Sequence, residues 1–199
     1  MHSERLTSPQ MIVCFICATF GAMSFCSGFF SLSPDTIVAM GIIRLVLGII
    51  YFIGALINIF KGLPGGNLNL ISAVCFGLFA GGNMLLSALY SRFGIEIQPL
   101  IYCIVQIFGA TYIIFLLPAL GESAFYNWIL QLAGALGLLS QAFQVILNSK
   151  GLQYAGGLFF LIYGLCSLYG GLSSIVVELP QGLSAHEIFQ CLFKKTKSQ

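Results

Sequence analysis

The chain has 199 residues, of which 58% are hydrophobic and only 7% are charged, with a formal net charge of +2. Because a soluble domain carries about 25% charged residues, this composition indicates a polytopic membrane protein surrounded by the lipid bilayer. The small net charge and the lack of a basic stripe exclude nucleic acid as an expected partner.

Six apolar runs are each long enough to cross a bilayer, which takes about 20 helical residues. The short loops between them predict an all-α, six-transmembrane-helix bundle in which consecutive helices are antiparallel neighbours. The predicted organisation is an N-terminal segment of residues 1–10, a transmembrane domain of residues 11–178 and a C-terminal tail of residues 179–199. The predicted spans cover residues 11–32, 36–60, 68–90, 97–120, 124–147 and 152–178.

Basic residues predict the orientation, because cytoplasmic loops carry an excess of lysine and arginine. Arg92 and Lys150 would lie on one side of the membrane, and both termini on the other. Five basic residues would share the side of the termini: Arg5, Lys61, Lys194, Lys195 and Lys197. Both termini are therefore predicted to be cytoplasmic, with the plasma membrane as the default location. No cleavable signal peptide is expected, and residues 184–193 could form an interfacial helix.

The sequence contains no residue pattern that indicates an enzyme or a metal site. Six of the seven cysteines fall in apolar runs, where cysteine packs as a small hydrophobe. Cys14 and Cys17 form a C-x-x-C pair without the second pair that zinc needs. His2 and His186 are both terminal, and neither an H-E-x-x-H nor a Walker motif occurs. We expect no catalytic residue, metal or cofactor, and no ATP-driven transport by this chain alone.

Glycine is abundant within the predicted spans, with 23 glycines in the chain. Small residues let membrane helices approach closely, so the first interpretation is helix packing. A pore lined by glycine backbone is the second interpretation.

Arg44 is the single charge in the predicted second span. A centrally placed arginine costs roughly 2.5–3.5 kcal/mol on insertion scales, so it needs water, a partner or the headgroups. One interpretation is that Arg44 faces a solute route and attracts an anion, since a guanidinium matches a carboxylate in two parallel bonds. The alternative is that it reaches one membrane surface or bonds to carbonyls of a neighbouring helix.

Amides and hydroxyls follow helical spacing in the last two spans. One face of the fifth span holds Gln131, Gly134, Leu138, Gln141 and Val145. Such a face can line a hydrated route or join helices by hydrogen bonds, and both remain open. One stripe of the sixth span holds Tyr163, Ser167 and Ser174, which fits a path for a small polar solute.

The order of the motifs along nearly the whole chain resembles the acetate uptake transporter family, also called succinate–acetate permeases. The motifs are Ser8-Pro9-Gln10-Met11, Gly28-Phe29-Phe30, Ala39-Met40-Gly41-Ile42, Lys61-Gly62, Phe76-Gly77-Leu78-Phe79, Leu130-Gln131, Ala155-Gly156-Gly157, Gly164 to Tyr169 and Glu178. The chain departs from the family in having Ser8 for an asparagine and Ala80 for a tryptophan. Arg44 stands where the family has an aromatic residue and two glycines.

The resemblance implies a six-helix protomer, often in a hexamer, with a narrow solute route through each subunit. It also implies a central constriction in which Phe76 is the third-helix aromatic and Leu138 lies near the fifth-helix aliphatic position. The first-helix position falls near Phe15 or Cys17. Residues of the matching motifs are further candidates for the route: Ser8, Pro9, Gln131 and Tyr169.

The leading functional hypothesis is transport of small monocarboxylates or dicarboxylates such as acetate or succinate, by an anion channel or by symport with protons. A charged solute in hydrocarbon is costly, so the route must supply polar groups and a tight neck. One alternative is a urea or small-amide channel, which needs no cation. Another is a membrane sensor or scaffold that does not transport.

Overall fold

The computed structural model describes residues 8–62, 65–94, 100–121, 123–175, 184 and 186–187. Over these residues the protein is an all-α bundle. The α-helices are α1 (Ser8–Phe29), α2 (Pro34–Phe60), α3 (Gly66–Ser72), α4 (Ala80–Arg92), α5 (Leu100–Leu116), α6 (Phe125–Leu147) and α7 (Lys150–Ile175). A π-helical segment, Ala73–Phe79, joins α3 to α4, and a 3-10 turn, Leu117–Leu120, extends α5.

Six helical rods in the described part of the chain are long and apolar enough to cross a membrane, as expected of a multi-pass membrane protein. The third rod is continuous from Gly66 to Arg92, because α3, the π segment and α4 follow one another without a break. The predicted number and order of helices are confirmed. The first helix ends at Phe29 rather than at residue 32, and the third is longer at both ends than predicted. Residues 97–99 and 176–178 of the predicted spans lie outside the described residues.

The boundary between α1 and α2 follows from the sequence Ser33-Pro34-Asp35. The Ser33 hydroxyl accepts a hydrogen bond from the Thr36 amide at 3.2 Å and so caps α2. Pro34 occupies the first turn, where its missing N–H costs nothing, and Asp35 complements the positive end of the helix dipole.

Each rod packs against its neighbours in chain order, and α7 packs against α1 to close the bundle. Facing glycines bring the backbones together at two of these contacts. A β-carbon built on Gly21 would lie 2.6 Å from the Cα of Gly164, and one built on Gly77 would lie 2.5 Å from the Cα of Gly48. These contacts match the packing interpretation of the glycines. We call the end where α1 begins and α7 ends the terminal face, and the other end the opposite face.

The described part of the C-terminal tail contacts the loop before α6. The His186 amide donates to the Gly121 carbonyl at 3.0 Å. The Ser184 amide donates to the Glu187 carboxylate at 2.8 Å, and the Glu187 amide donates to the Ser184 hydroxyl at 3.2 Å. This reciprocal pair is a capping box, which fits a helix that starts at residue 184. Residues 188–193 of the predicted interfacial helix lie outside the described residues.

The Glu187 carboxyl is expected to titrate at lower pH than an ordinary glutamate, because the amide and then the hydroxyl of Ser184 hold its pKa down. A lowered pKa means that the cap stabilises this turn above the unfolded pKa of about 4.3 and is lost as pH falls through the lowered value. A ¹³C NMR titration of the glutamate carboxyls should show this midpoint. The Ser184→Ala variant removes the hydroxyl and keeps the amide, so it should return the midpoint part of the way toward the ordinary value. An unchanged midpoint would contradict the hydroxyl's part in the cap.

Candidate functional site

A cavity of about 280 Å³ opens at the opposite face of the bundle, and we call it the Arg44 cavity. Its lining residues come from α1, α2, α4, α5, α6 and α7, so all six rods contribute. They are Ser27, Gly28, Arg44, Ala80, Met84, Tyr102, Gln141, Gln144, Val145 and Gln153. The cavity thus lies within the bundle, bordered by the third, fifth and sixth rods among others.

Arg44 points into the bundle and is 5% exposed. It lies ten residues into α2, about 15 Å from the start of the helix. Its Nη1 donates to the Phe76 carbonyl at 3.1 Å, and its Nη2 donates to the Phe20 carbonyl at 3.3 Å and to the Ser24 hydroxyl at 2.6 Å. The guanidinium carbon also lies 5.7 Å from the centre of the Phe20 ring, within cation–π range. Arg44 therefore bonds to carbonyls of neighbouring helices and lines the cavity as well.

The positive charge of Arg44 meets no carboxylate among the described residues. The acidic side chains in the described part of the chain are Asp35, which pairs with Arg92 at 3.2 Å at the surface, and Glu187, which bonds to Ser184. The Arg44 Nε is also buried without a hydrogen-bond partner there. Buried charges are normally paired, because desolvation is costly. An anion in the cavity would therefore meet a cation that no described side chain neutralises.

Glutamine side chains form the polar wall of the cavity. Gln106 Nε2 donates to Gln141 Oε1 at 2.8 Å, which joins α5 to α6. Three glutamines line the cavity, Gln141, Gln144 and Gln153. Gln141 therefore both joins helices and lines the cavity, the two roles that the sequence left open.

The π segment makes the Phe76 carbonyl available to Arg44. In a regular α-helix this carbonyl would accept from the Ala80 amide, but that amide donates to Gly77 instead. The Phe76 carbonyl accepts from the guanidinium. Short π-helical segments often occur at functional sites, and this one connects the buried cation to the centre of the bundle.

Three aromatic rings fill the centre of the bundle, and we call Phe76, Phe160 and Tyr163 the barrier. The Phe76 ring centre lies 5.6 Å from that of Phe160 and 5.1 Å from that of Tyr163. Gly134 and Gly137 of α6 leave room for these rings, because a β-carbon on either would approach a ring to about 3 Å. Each barrier residue is at most 2% exposed, so the centre is closely packed.

A second cavity of about 80 Å³ lies at the terminal face, and we call it the Gln131 cavity. Gln131 is itself buried and accepts a long hydrogen bond from Ser72 at 3.5 Å. No described lining residue is charged. The polar lining residues are Gln10, Cys14, Cys17, Asn69, Tyr126, Asn127, Gln131 and Ser167.

The barrier lies between the two cavities along three rods. On α6, Gly134 and Gly137 lie between Gln131 and Gln141. On α7, the barrier residues lie between Ser167, which lines the Gln131 cavity, and Gln153, which lines the Arg44 cavity. Phe76 likewise lies between lining residues of the third rod. The arrangement is an hourglass with a polar cavity at each end and an aromatic neck.

The structure distinguishes the two first-helix candidates. Cys17 is 3% exposed and lines the Gln131 cavity, whereas Phe15 is 66% exposed on the outside of the bundle. Leu138 is buried in the same core as Phe76. Tyr169 is half-buried, with its ring 5.5 Å from that of Tyr126.

Two of the predicted site residues have no described side chain, and three residues near the cavity and the barrier were not predicted. Ser8 and Pro9 begin α1, and their side chains lie outside the described residues. Sequence reasoning missed Phe160, Ser24 and Tyr102. Phe160 had a usable signal, since it lies three residues before Tyr163 on the same helical stripe.

Comparison with known proteins adds no family assignment. No protein-family model and no curated protein matches this chain.

Proposed function

We propose that the chain forms a membrane route for small carboxylates such as acetate or succinate, acting as a channel or with protons. The observation that carries this proposal is the Arg44 guanidinium, buried at a cavity wall without a carboxylate partner among the described residues. Retaining such a charge in a membrane protein is costly unless it serves a polar route or an anion.

The hourglass supports a permeation role on physical grounds. A small anion leaving water loses hydration energy, and Arg44 with its neighbouring amides supplies replacement interactions. The barrier supplies a hydrophobic neck that restricts passage, as constrictions of channels do. The proposal includes protomers that assemble as homo-oligomers, such as the hexamer that the resemblance implies, in the plasma membrane with cytoplasmic termini.

The glutamine side chains favour a second candidate, a channel for urea or another small amide. Gln141, Gln144 and Gln153 line the Arg44 cavity and offer amide donors and acceptors that suit a neutral solute. Such a channel would have no use for the charge of Arg44. The two candidates therefore differ in what they expect of an Arg44 variant.

Flux into proteoliposomes tests the proposal, with labelled acetate and labelled urea compared in the same preparation. The Arg44→Met variant removes the charge and keeps a long side chain. We expect its acetate uptake to fall about tenfold, which corresponds to about 1.4 kcal/mol of lost stabilisation. The matched control is Arg92→Met, which removes an exposed arginine at a helix end and should leave uptake nearly unchanged.

Other outcomes identify the alternatives. Urea flux that exceeds acetate flux and ignores the Arg44 substitution would establish the small-amide channel. Absence of flux for both solutes, from folded protein, would leave the sensor or scaffold and reject the proposal. An imposed pH gradient that drives acetate accumulation would assign coupling to protons rather than channel behaviour.

A further inference from the structure

We propose that the Arg44 cavity selects solutes that carry one carboxylate at one end and an uncharged polar group, such as an amide, at the other. The inference rests on the proposed function in placing a carboxylate beside Arg44. It adds a substrate class, because it separates singly charged acids with a polar second group from dicarboxylates and from purely apolar acids.

Arg44 is the single charged side chain in the described lining of the cavity. Its guanidinium can therefore offset one carboxylate. Arg92 and Lys150 lie at the same face of the bundle, but both are exposed and neither belongs to the lining. Arg92 also pairs with Asp35 at 3.2 Å, and salt screens exposed charges from a distant solute. The described cavity thus provides for one negative charge.

A second carboxylate on the same solute would find no described cation in the cavity. In an extended solute it lies nearer to the first carboxylate than to Arg44, so repulsion by the first group outweighs attraction by the guanidinium. Removing a second ionised group from water also costs hydration energy, which neutral amides replace in part. A dicarboxylate is therefore disfavoured by its charge rather than by its size.

The volume of the cavity leaves room for a second polar group on the solute. A molecule of liquid water takes up about 30 Å³, so the cavity volume of about 280 Å³ corresponds to roughly nine waters. A two-carbon acid bound at Arg44 would leave much of this space to water. A longer acid can reach the glutamines of the wall from the same position.

Two of these glutamines have amide groups available for a solute. Gln141 accepts a hydrogen bond from Gln106, whereas the side chains of Gln144 and Gln153 form none with another described residue. Each free amide offers two donors and a carbonyl acceptor, and an amide on the solute can use both kinds. A site that bonds such a group disfavours an analogue that lacks it. Charge recognition on α2 and amide recognition on α6 and α7 together define the substrate class.

Three solutes with equal numbers of non-hydrogen atoms test the inference. Succinamate ends in an amide, succinate in a second carboxylate and isocaproate in an isopropyl group. Each is titrated as its sodium salt into purified protein in detergent, at constant ionic strength and near neutral pH, where carboxyls with pKa values of about 4 are ionised. The rise in unfolding temperature with solute concentration gives the apparent affinity, because a ligand of the folded state stabilises it by mass action.

We expect succinamate to stabilise the protein at about tenfold lower concentrations than either succinate or isocaproate, since one lacks a second cation and the other lacks a polar end. The Arg44→Met variant should lose the response to succinamate. The Gln144→Met variant should need more succinamate and should respond to isocaproate as well as before, because it removes an amide and keeps a long side chain.

A second cation in the wall should reverse the preference for a single charge. The Gln144→Lys variant is expected to respond to succinate at lower concentrations than to succinamate. The matched control is Ser149→Lys, which adds the same charge at the same face but outside the described lining. This control should keep the preference for succinamate, because the added charge is separated from the cavity and screened.

Equal responses to succinamate and succinate in the unmodified protein would overturn the inference, and so would a folded Gln144→Lys variant that still prefers succinamate. The comparison of the three solutes needs no substitution, so a misfolded variant does not weaken it. Acetate flux without a preference for succinamate rejects the inference alone. A preference for succinamate without flux supports the inference and rejects transport.

Discussion

Replacing Phe160 with alanine is expected to turn the neck of the bundle into a leak. The Phe160 ring lies between Phe76 and the surface of Gly137, so its removal leaves a gap between the two cavities. We expect permeability to small neutral solutes such as urea to rise about tenfold, equivalent to a barrier lower by about 1.4 kcal/mol. Light scattering of proteoliposomes after a urea gradient is imposed measures this permeability.

Two further variants test whether the leak arises at the neck. Phe160→Leu retains much of the apolar volume and should leak far less than the alanine variant. Phe108→Ala makes the same chemical change at a side chain that is 71% exposed on the outside, and its permeability should not change. A well-folded Phe160→Ala variant with the same urea permeability as the unmodified chain would contradict the role of the barrier.

Placing alanine at Gly77 is expected to destabilise the bundle strongly for a single added methyl group. The new β-carbon would lie 2.5 Å from the Cα of Gly48, and backbone cannot rotate away as a side chain can. Overpacking costs about 1–3 kcal/mol where side chains can adjust, so we expect the upper end or more. Thermal unfolding in detergent should show a midpoint lower by about 5–10 °C.

Gly82→Ala is the matched control for this substitution. Gly82 is on the same rod, five residues further on, and a β-carbon there meets nothing within 4 Å. Alanine is the better helix former, so the unfolding temperature should stay unchanged or rise slightly. Equal effects of the two substitutions would show that the contact between α2 and the π segment contributes little.

The rods were predictable because each carries its own signal. A run of about 20 apolar residues forms a helix in lipid, whatever its neighbours do, since every backbone group must be satisfied internally. The start of α2 could also be predicted from neighbouring residues alone, because Ser33 and Pro34 provide the cap and the first turn. Burial of Arg44 depends on how α2 is rotated, which composition alone leaves open.

The π segment and the barrier could not be predicted by the same means. Residues 73–79 are apolar like those of any membrane helix, and their hydropathy does not depend on which backbone hydrogen bonds they form. Phe160 resembles the many phenylalanines that face outward, such as Phe108. The glycines were visible, but which pairs meet depends on the rotation of both helices, and that is a property of the assembled bundle.

The closing contact between α1 and α7 has a consequence for biosynthesis. An extensive helix contact in the described chain joins the first rod to the last, and Gly21 meets Gly164 within it. During synthesis α1 enters the bilayer while its eventual neighbour is more than 100 residues from being made. The glycine-bearing face of α1 therefore stays unmatched until α7 has been made, and a chain shortened before α7 leaves the ring open.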